Sequence, residues 1–418
     1  MTDLLSELEW RGFVQQRTPG CDGHLAEPRT LYCGFDPTAP SLQLGNLMPL
    51  FLLRHFQRHG HTPIVLMGGG TGLIGDPSGK RGERPLLDKQ QLKDHLHHQR
   101  DQMARFLDFD PGPASALLLD NAKWLVELKL VDFLRDIGKH FTVNVMLQKE
   151  SVQARLDAGI SYTEFSYMLL QGFDFLHLYR TKRCTLQVGG SDQWGNITLG
   201  ADLIRKIEGG EAHALVAPLV TSASGAKFGK TEEGTVWLDP AMTSPYKFYQ
   251  FWVNVDDRDA EKYAKLFSLK PRQEIDALVA EGRKNPAERA PQRALGREIT
   301  ELVHGGDAAA NAVTASEILF GEFDPHRAEP TVFDVLAAEI PTTAAPAADG
   351  LTIVDALTQS GLVKSKGEAK RALEQGGVYV NQKREPADRA LARGDWLSGR
   401  NVLLRKGKKD FALLRAGA

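Results

Sequence analysis

Three segments of the chain carry the residue types that nucleotide chemistry requires. Gly189–Asn196 reads GGSDQWGN, Lys227–Thr231 reads KFGKT, and Tyr32–Asn46 forms a turn with two prolines. Glycines let the backbone approach a ligand closely, and two lysines three residues apart on a glycine-containing loop supply positive charge. A carboxylate and an amide follow the paired glycines of the first segment. This combination is typical of a site that grips the phosphates of a nucleotide transiently.

The segment Tyr32–Asn46 lies between a predicted strand and a predicted helix. Thr30–Cys33 is mostly apolar, and apolar residues recur at helical spacing from Leu47 until Gly60. Pro49 falls in the first turn of that helix, where its missing N–H costs nothing. The unpaired N–H groups at a helix start point towards an anion, so this order of elements predicts an anion site.

Short apolar runs alternate with longer amphipathic stretches over residues 29–219. The runs are residues 63–67, 116–119 and 185–188. Apolar strands that end in glycine or aspartate and are separated by helices predict an α/β fold with a doubly wound parallel sheet. Ligands bind such folds at the carboxyl ends of the strands, where Gly34, Gly68 and Gly189 fall.

Composition and pattern divide the chain into four parts. Residues 1–220 hold the predicted sheet, and residues 221–324 hold the lysine-containing loop and a mainly helical stretch. Residues 325–350 are rich in proline and alanine, which predicts a linker. Residues 351–418 read as a small α+β domain. Its predicted helices and strands are residues 353–360, 366–375, 378–381 and 401–405.

Charge is distributed unevenly along the chain. The net charge of the whole sequence is −2, yet residues 351–418 contain 14 Lys and Arg against 7 Asp and Glu. This segregation predicts contact with a polyanion through the last part of the chain. The alternative is a basic surface that is merely solvated.

Length and composition exclude several classes of protein. A chain of 418 residues is too long for one compact core, and 42% hydrophobic with 25% charged residues is ordinary for globular domains. The three cysteines have no paired spacing, and no histidine or cysteine cluster predicts a metal site. The start of the sequence is acidic and amphipathic, and no stretch approaches about 18 apolar residues. We therefore expect a cytoplasmic protein with no membrane association.

Together these segments resemble those of the bacterial-type tyrosyl-tRNA synthetases, which are class I aminoacyl-tRNA synthetases. Residues 68–79 (GGGTGLIGDPSG) and 162–167 (YTEFSY) extend the resemblance, and the motifs occur in the family's order. The resemblance implies a Rossmann-like catalytic domain, a helical domain on the anticodon side of the tRNA, and an S4-like RNA-binding domain. It implies that ATP activates L-tyrosine to tyrosyl-adenylate with release of pyrophosphate, and that tyrosine then passes to the 3′ end of tRNA-Tyr.

The resemblance assigns roles to residues that match the family's motifs. The tyrosine-binding positions are Tyr32, Asp76, Tyr167, Gln171, Asp174 and Gln193. The ATP-binding positions are Gly34, Asp36, Gly45, Gly190, Asp192, Leu219, Val220 and Lys230. The catalytic positions are Thr38, Gln43, Asn46, Lys227, Lys230 and Thr231. Tyr32 and Asp174 would hydrogen-bond the substrate phenol, and Asp76 would bind its ammonium group.

The chain departs from the family at the His-Ile-Gly-His signature, which reads Gln43–Asn46 here, so both histidines are missing. An amide and a neutral imidazole both donate a hydrogen bond, so Gln43 would serve the leaving pyrophosphate and Asn46 the nucleotide. Lys227 and Lys230 match the family's mobile lysine loop. Lys80 and Arg84 match a second basic pair, for which a solvated loop is an equal alternative.

The resemblance also implies substrates and partners: ATP with Mg²⁺, L-tyrosine and tRNA-Tyr. Residues 138–144 (GKHFTVN) resemble the family's subunit interface, which implies a homodimer.

Two other classes share parts of the pattern. A synthetase-like RNA-binding protein that has lost catalysis would explain the missing histidines. The residues that argue against it are Asp76, Asp174, Asp192, Lys227 and Lys230. A small-molecule adenylating enzyme would need no RNA, and the basic residues 351–418 disfavour that class.

Overall fold

The computed structural model describes residues 3–78, 89–157, 159–231, 234–345 and 350–416. Contacts divide the chain into two compact units, of which one comprises Met1–Thr243 with Val255–Leu295 and the other Ser244–Asn254 with Gly296–Ala418. None of the described helices is both long enough and apolar enough to cross a membrane.

The strands are β1 (Gln16–Arg17), β2 (Thr30–Phe35), β3 (Thr62–Met67), β4 (Leu117–Asp120), β5 (Cys184–Gly190), β6 (His213–Ala217), β7 (Lys230–Thr231), β8 (Gly234–Thr235), β9 (Thr342–Ala345), β10 (Val378–Val380), β11 (Lys383–Arg384), β12 (Asn401–Lys406) and β13 (Asp410–Ala416). The helices are α1 (Leu4–Arg11), α2 (Cys21–His24), α3 (Leu47–Arg58), α4 (Lys89–Met103), α5 (Ala122–Leu125), α6 (Leu130–Asp136), α7 (Val143–Leu147), α8 (Glu150–Leu156), α9 (Tyr162–Lys182), α10 (Trp194–Glu208), α11 (Pro245–Val253), α12 (Asp257–Phe267), α13 (Arg272–Lys284), α14 (Ala290–His304), α15 (Gly306–Phe320), α16 (Pro330–Glu339), α17 (Ile353–Gln359) and α18 (Lys366–Glu374).

The first unit is built on a six-stranded sheet with the order β1-β6-β5-β2-β3-β4. All neighbouring strands are parallel except the short β1, which pairs antiparallel with β6. In β3 every residue except Thr62 is buried, as expected for a parallel strand covered on both faces. In α3, Pro49 stands in the first turn and the chain leaves the helix before Gly60, whose φ of 87° suits a residue without a side chain. The predicted doubly wound α/β fold is confirmed.

The strand order reverses at β2. The chain passes from β2 to β3 and β4 on one side of the sheet, then returns to β5 and β6 on the other. Tyr32 in β2 lies opposite Ile64 of β3 and opposite Gln187 of β5. Connections leave β2 and β5 in opposite directions, which opens a crevice at their carboxyl ends.

The second unit contains a five-stranded sheet with the order β11-β10-β12-β13-β9. Alternate residues of β12 point to opposite faces. Val402 and Leu404 join a core with Ile353 and Leu357 of α17. Leu403 joins a different core, shared with α11, α15 and α16. The sheet is thus covered on both sides within this unit, and the predicted helices and strands of residues 353–405 are present.

The structure corrects the predicted linker. Residues 325–350 include α16 and β9, and β9 pairs in parallel with β13. Val332, Phe333 and Leu336 of α16 are buried. Pro330 is the first residue of the helix, a position at which proline is favoured. Its presence therefore indicates the start of a helix rather than an unstructured segment. The linker prediction is wrong for residues 330–345, whereas the other domain boundaries stay predictions.

Candidate active site

A cavity of about 580 Å³ opens at the carboxyl ends of β2 and β5, in the crevice where the strand order reverses. Most of the predicted site residues line it. They are Tyr32, Gly34, Asp36, Thr38, Gln43, Asn46, Asp76, Tyr167, Gln171, Asp174, Gly190, Asp192 and Gln193. The fold therefore brings together side chains that are far apart in the sequence.

One side of the cavity holds a buried phenol and a buried carboxylate. The Tyr32 hydroxyl has no hydrogen-bond partner among the described residues. Asp174 accepts hydrogen bonds from Asn121 Nδ2 at 2.8 Å and from Trp124 Nε1 at 2.7 Å. Burial raises the pKa of Asp174 to about 7, although both hydrogen bonds oppose that shift. Because buried polar groups are almost always paired, the Tyr32 hydroxyl is suited to a polar atom of a ligand.

Asp36 also lines the cavity and accepts two hydrogen bonds from side chains. Its carboxylate accepts from Tyr167 Oη at 2.9 Å and from Thr71 Oγ1 at 2.9 Å. Asn121 Nδ2 also donates to Thr71 Oγ1 at 3.0 Å, and Asn121 Oδ1 accepts from the Gly70 N–H at 2.7 Å. Burial raises the pKa of Tyr167 well above its usual value, with the nearby carboxylate of Asp36 adding to the shift. Tyr167 is therefore a neutral donor.

A chain of amides leads away from Asp76. Gln193 Nε2 donates to Asp76 Oδ2 at 2.8 Å, and Gln171 Nε2 donates to Gln193 Oε1 at 3.2 Å. Asn196 Nδ2 in turn donates to Gln171 Oε1 at 3.0 Å. A carboxylate next to orientable amides offers an acceptor for an ammonium group and donors for a carboxylate. These are the two charged groups of a free amino acid.

Two glycines border the cavity at the carboxyl ends of β2 and β5. A Cβ atom at Gly34 would meet nothing within 4 Å, so the backbone there is open to a ligand. A Cβ atom at Gly190 would lie 2.6 Å from Asp192 Oδ1 and 3.2 Å from Leu219 Cδ2, so a larger residue there would displace the Asp192 carboxylate. Burial raises the pKa of Asp192, the negative charge of Asp76 adds to the shift, and the positive charge of Lys227 opposes it.

The segment Gln43–Asn46 forms a single 3-10 turn ahead of α3. The Gln43 N–H donates to Asn46 Oδ1 at 2.9 Å, and the Asn46 N–H donates to the Gln43 carbonyl at 2.9 Å. The oxygen of the Asn46 amide thus closes the turn, while its Nδ2 group remains a donor at the cavity wall.

Six predicted residues do not line the cavity that the described residues form. They are Gly45, Leu219, Val220, Lys227, Lys230 and Thr231. Lys230 Nζ bonds to Thr235 Oγ1 across the β7–β8 hairpin. Lys227 is exposed, but its effect on the pKa of Asp192 places it within electrostatic reach of the cavity. Lys80 and Arg84 lie outside the described residues.

Sequence reasoning missed several polar residues of the site. They are Thr71, Ser78, Asn121, Trp124 and Gln187. Asn121 directly follows β4, so a search for polar residues at strand ends would have found it. Gln187 lies opposite Tyr32 in the sheet and has a buried Oε1 without a partner among the described residues. The described residues contain no group of three or more His, Cys, Asp and Glu side chains placed to hold a metal ion.

Two family models match the chain. The model for class I tRNA synthetases (W and Y) matches residues 25–321, and the model for the tyrosine–tRNA ligase SYY-like C-terminal domain matches residues 333–414. Among full-length relatives, the tyrosine–tRNA ligase of Roseiflexus castenholzii is 50% identical over 424 residues, which cover 99% of this chain and 100% of the relative. That of Bacillus caldotenax is 48% identical over 425 residues, which cover 99% of each chain.

Solved structures agree with these matches. A C-terminally truncated mitochondrial tyrosyl-tRNA synthetase of Coccidioides posadasii superposes with a TM-score of 0.66 at 31% identity, over 75% of this chain and 91% of that chain. The corresponding protein of Aspergillus nidulans gives a TM-score of 0.70 at 28% identity, over 77% of this chain and 95% of that chain. Since both the family models and the full-length relatives agree, the chain belongs to the tyrosine–tRNA ligases, within the class I tRNA synthetases.

Proposed function

We propose that the cavity between β2 and β5 is the site where this tyrosine–tRNA ligase forms tyrosyl-adenylate. The observation that carries the proposal is the buried, unpaired Tyr32 hydroxyl on the same cavity wall as Asp174. Tyr32 would donate to the phenolic oxygen of L-tyrosine, and the carboxylate of Asp174 would accept the phenolic proton. Phenylalanine would leave the Tyr32 hydroxyl buried and unpaired, which costs about 1–3 kcal/mol, and would offer no proton to Asp174.

The amino acid's charged end is assigned to the other polar cluster. Asp76, Tyr167 and Gln171 would hold the ammonium group, and Gln193 would face the carboxylate. This assignment is supported by the continuous hydrogen bonds from Asp76 through Gln193 to Gln171, which fix the amides in place. The tyrosine carboxylate would then point towards the glycine-bordered side of the cavity.

ATP is assigned to that side. Gly34 and Gly190 would allow close approach of the nucleotide, and Asp192 would accept hydrogen bonds from its ribose. A carboxylate oxygen of tyrosine attacks the α-phosphorus as the bond from that phosphorus to pyrophosphate breaks. Thr38, Gln43, Lys227 and Lys230 would stabilise the leaving group, whose negative charge is greatest in the transition state.

Mg²⁺ is proposed to enter with ATP rather than to occupy a resident protein site. Mg²⁺ binds oxygen ligands and commonly keeps several waters while it bridges substrate phosphates. The described residues offer no cluster of ligands that would hold the ion alone. Asp36, Asp76, Asp174 and Asp192 are the carboxylates of the cavity wall, and each already has an assigned partner.

Transfer to tRNA-Tyr is proposed to depend on residues 351–418. Their excess of positive charge suits the phosphate backbone of RNA. In this part of the chain the Arg405 guanidinium lies 3.8 Å from the ring centroid of Tyr379. Such a pair keeps an arginine charge at a fixed place on the sheet, where a phosphate would meet it.

The proposed homodimer is supported by exposed apolar side chains that lie close together in the sequence. They are Val126, Leu130, Val131, Leu134, Val143, Val145, Leu156 and Tyr162. Leu130 is 71% exposed and Val131 is 74% exposed. A second copy would cover this surface, which includes part of residues 138–144.

A cytoplasmic location is proposed as well, because the free cysteines Cys21, Cys33 and Cys184 fit a reducing compartment.

The test is exchange of pyrophosphate into ATP, run separately with each standard amino acid, followed by charging of tRNA-Tyr. Tyrosine alone should support exchange. Comparable exchange with phenylalanine would contradict the assignment of Tyr32 and Asp174.

The proposed dimer is tested by measuring the size of the protein in solution for the wild type and for Val131→Glu. A charge at a dimer contact should yield monomers.

A further inference from the structure

We infer that one face of α4 positions the loop of residues 36–43 for adenylate formation. The inference rests on the proposed function of the cavity, because Thr38 and Gln43 of this loop are assigned to the phosphates of ATP. The face consists of His95, Gln99 and Gln102, whose spacing of four and three residues places them on one side of the helix.

The loop has few hydrogen bonds of its own. Pro37 and Pro40 have no N–H group, and within the loop the Thr38 N–H donates to the Asp36 carbonyl at 2.9 Å. Asp36, Thr38 and Gln43 all line the cavity, so both ends and one middle residue of the loop border it. Its remaining backbone groups need partners from elsewhere in the fold.

The first two residues of the face meet carbonyl groups of the loop. His95 Nδ1 donates to the Pro37 carbonyl at 2.9 Å. Gln99 Nε2 donates to the Ala39 carbonyl at 2.7 Å, and the Gln99 side chain is only 3% exposed. These bonds fix the backbone on both sides of Thr38.

Gln102 makes two hydrogen bonds at once. Its Oε1 accepts from the Leu42 N–H at 2.8 Å, and its Nε2 donates to Ser41 Oγ at 2.9 Å. Ser41 and Leu42 are both buried. The backbone immediately before Gln43 is therefore held by Gln102 of α4 on one side, and by the Leu238 N–H, which donates to the Leu42 carbonyl at 2.9 Å.

The same contacts continue towards the lysine loop. The Asp239 N–H donates to Ser41 Oγ at 3.1 Å. Three residues earlier, the Val236 N–H donates to the Gly229 carbonyl at 3.0 Å, and the Val236 carbonyl accepts from the Leu44 N–H at 3.1 Å. Residues 236–239 thus join the loop of residues 36–43 to the segment that contains Lys227 and Lys230.

The residues assigned to tyrosine lie mainly on β2 and α9. Within the described part of the chain, the α4 face makes no hydrogen bond to any of these residues. Loss of the α4 face should therefore slow adenylate formation and leave tyrosine binding unchanged. Misplacing reacting groups by about 1 Å costs up to about a hundredfold in rate.

The test compares Gln102→Leu with Gln102→Glu and with the control Gln273→Leu, which changes an exposed glutamine on α13. For each protein we would measure the single-turnover rate of adenylate formation per titrated active site, the tyrosine dissociation constant, and the thermal midpoint. Counting active sites removes the contribution of misfolded protein. Gln102→Leu should lower the rate about tenfold to a hundredfold with unchanged tyrosine affinity. Gln102→Glu should recover much of the rate, because its carboxylate still accepts from the Leu42 N–H.

A Gln102→Leu rate within about twofold of the control would overturn the inference, as would an equal loss of tyrosine affinity. If Gln102→Leu does not fold, Gln99→Met and His95→Leu decide by the same criteria. A wild type that fails to exchange pyrophosphate with tyrosine would instead contradict the proposed function. The two failures are therefore distinguishable.

Discussion

The two sides of the cavity are built differently. On the proposed tyrosine side, Tyr32, Asp174, Asn121 and Tyr167 stand on or beside regular strands and helices and are buried, and the side chains of all but Tyr32 make hydrogen bonds. On the proposed nucleotide side, glycines border the cavity, and both lysines of the segment Lys227–Thr231 are exposed.

Under the proposed function, this difference corresponds to two tasks. Selecting one amino acid requires groups that are fixed before the substrate arrives, because an unpaired buried group is what rejects the wrong one. Stabilising a leaving pyrophosphate requires charge that is brought close as the reaction proceeds. Mutations on the two sides should therefore separate affinity from rate.

The largest effect is expected for Lys230→Ala. Removing one oriented contact to the transition state should raise the barrier to adenylate formation by about 2–4 kcal/mol. The tyrosine dissociation constant should stay the same, because Lys230 lies on the exposed hairpin. Single-turnover kinetics and equilibrium dialysis measure the two quantities, with the exposed Lys284→Ala as the matched control. Parallel loss of rate and tyrosine affinity would show that the two sides are not independent.

Asp174→Asn tests the opposite side. Replacing a charged hydrogen-bond acceptor should weaken tyrosine binding by about 1.5–3 kcal/mol, whereas the affinity for ATP should hardly change. Equilibrium dialysis with each substrate measures both values, and Asp276→Asn on the exposed face of α13 serves as the control. Unaltered tyrosine affinity would remove Asp174 from the phenol site.

The pH dependence of tyrosine binding is a second test of the role assigned to Asp174. Burial raises the pKa of Asp174 to about 7, so the carboxylate is increasingly protonated as pH falls below that value. The ionised form accepts the stronger hydrogen bond, so tyrosine affinity should rise with pH up to about 7 and then level off. The expected change is at most about tenfold per pH unit. Titrations of the wild type and of Asp174→Asn should differ, since the variant lacks the titrating group.

Tyr32→Phe should have a smaller effect. It removes one hydroxyl from the proposed phenol site and should weaken tyrosine binding by about 0.5–1.5 kcal/mol. Discrimination against phenylalanine should narrow, because one buried group no longer requires a partner. Pyrophosphate exchange at matched tyrosine and phenylalanine concentrations measures this ratio. An unchanged ratio would leave selectivity to Asp174 alone.

The smallest effect is expected for Gln43→His. Imidazole and amide both donate a hydrogen bond, so the rate of adenylate formation should stay within about tenfold, or roughly 1.4 kcal/mol, of the wild type. Single-turnover kinetics would detect a larger loss. Such a loss would mean that the turn closed by Asn46 fits glutamine specifically.

The features that sequence could predict are those with local causes. The buried run of β3 and the helical spacing of α3 are visible in short windows, and both were placed within one or two residues. Most of the assigned cavity residues also converge, because glycine-rich strand ends meet at one edge of a parallel sheet. Their individual roles stay predictions until the variants above are measured.

Other features depend on contacts between distant segments. Trp124 donates to Asp174 across 50 residues of chain, and no local pattern around Trp124 marks it as part of a site. The α4 face reaches the loop of residues 36–43 over about the same separation. The strand β9 was missed because Thr342–Ala345 has a linker-like composition, and pairing with β13 is what orders it. Such partners are set by tertiary structure rather than by local propensity.

The doubly covered sheet of the second unit has a consequence for evolution and for protein engineering. Its last strand pairs with β9, and Leu403, Phe411 and Leu413 fill a core with α16 and the helices that precede it. Residues 351–418 therefore cannot be exchanged between relatives as a separate segment with its boundary at residue 350. A fragment that starts there would lack its edge strand and one wall of its core, and the shortened remainder would expose apolar surface. An exchange between relatives would have to carry α16 and β9 with the tail and preserve the shapes of the side chains facing α15.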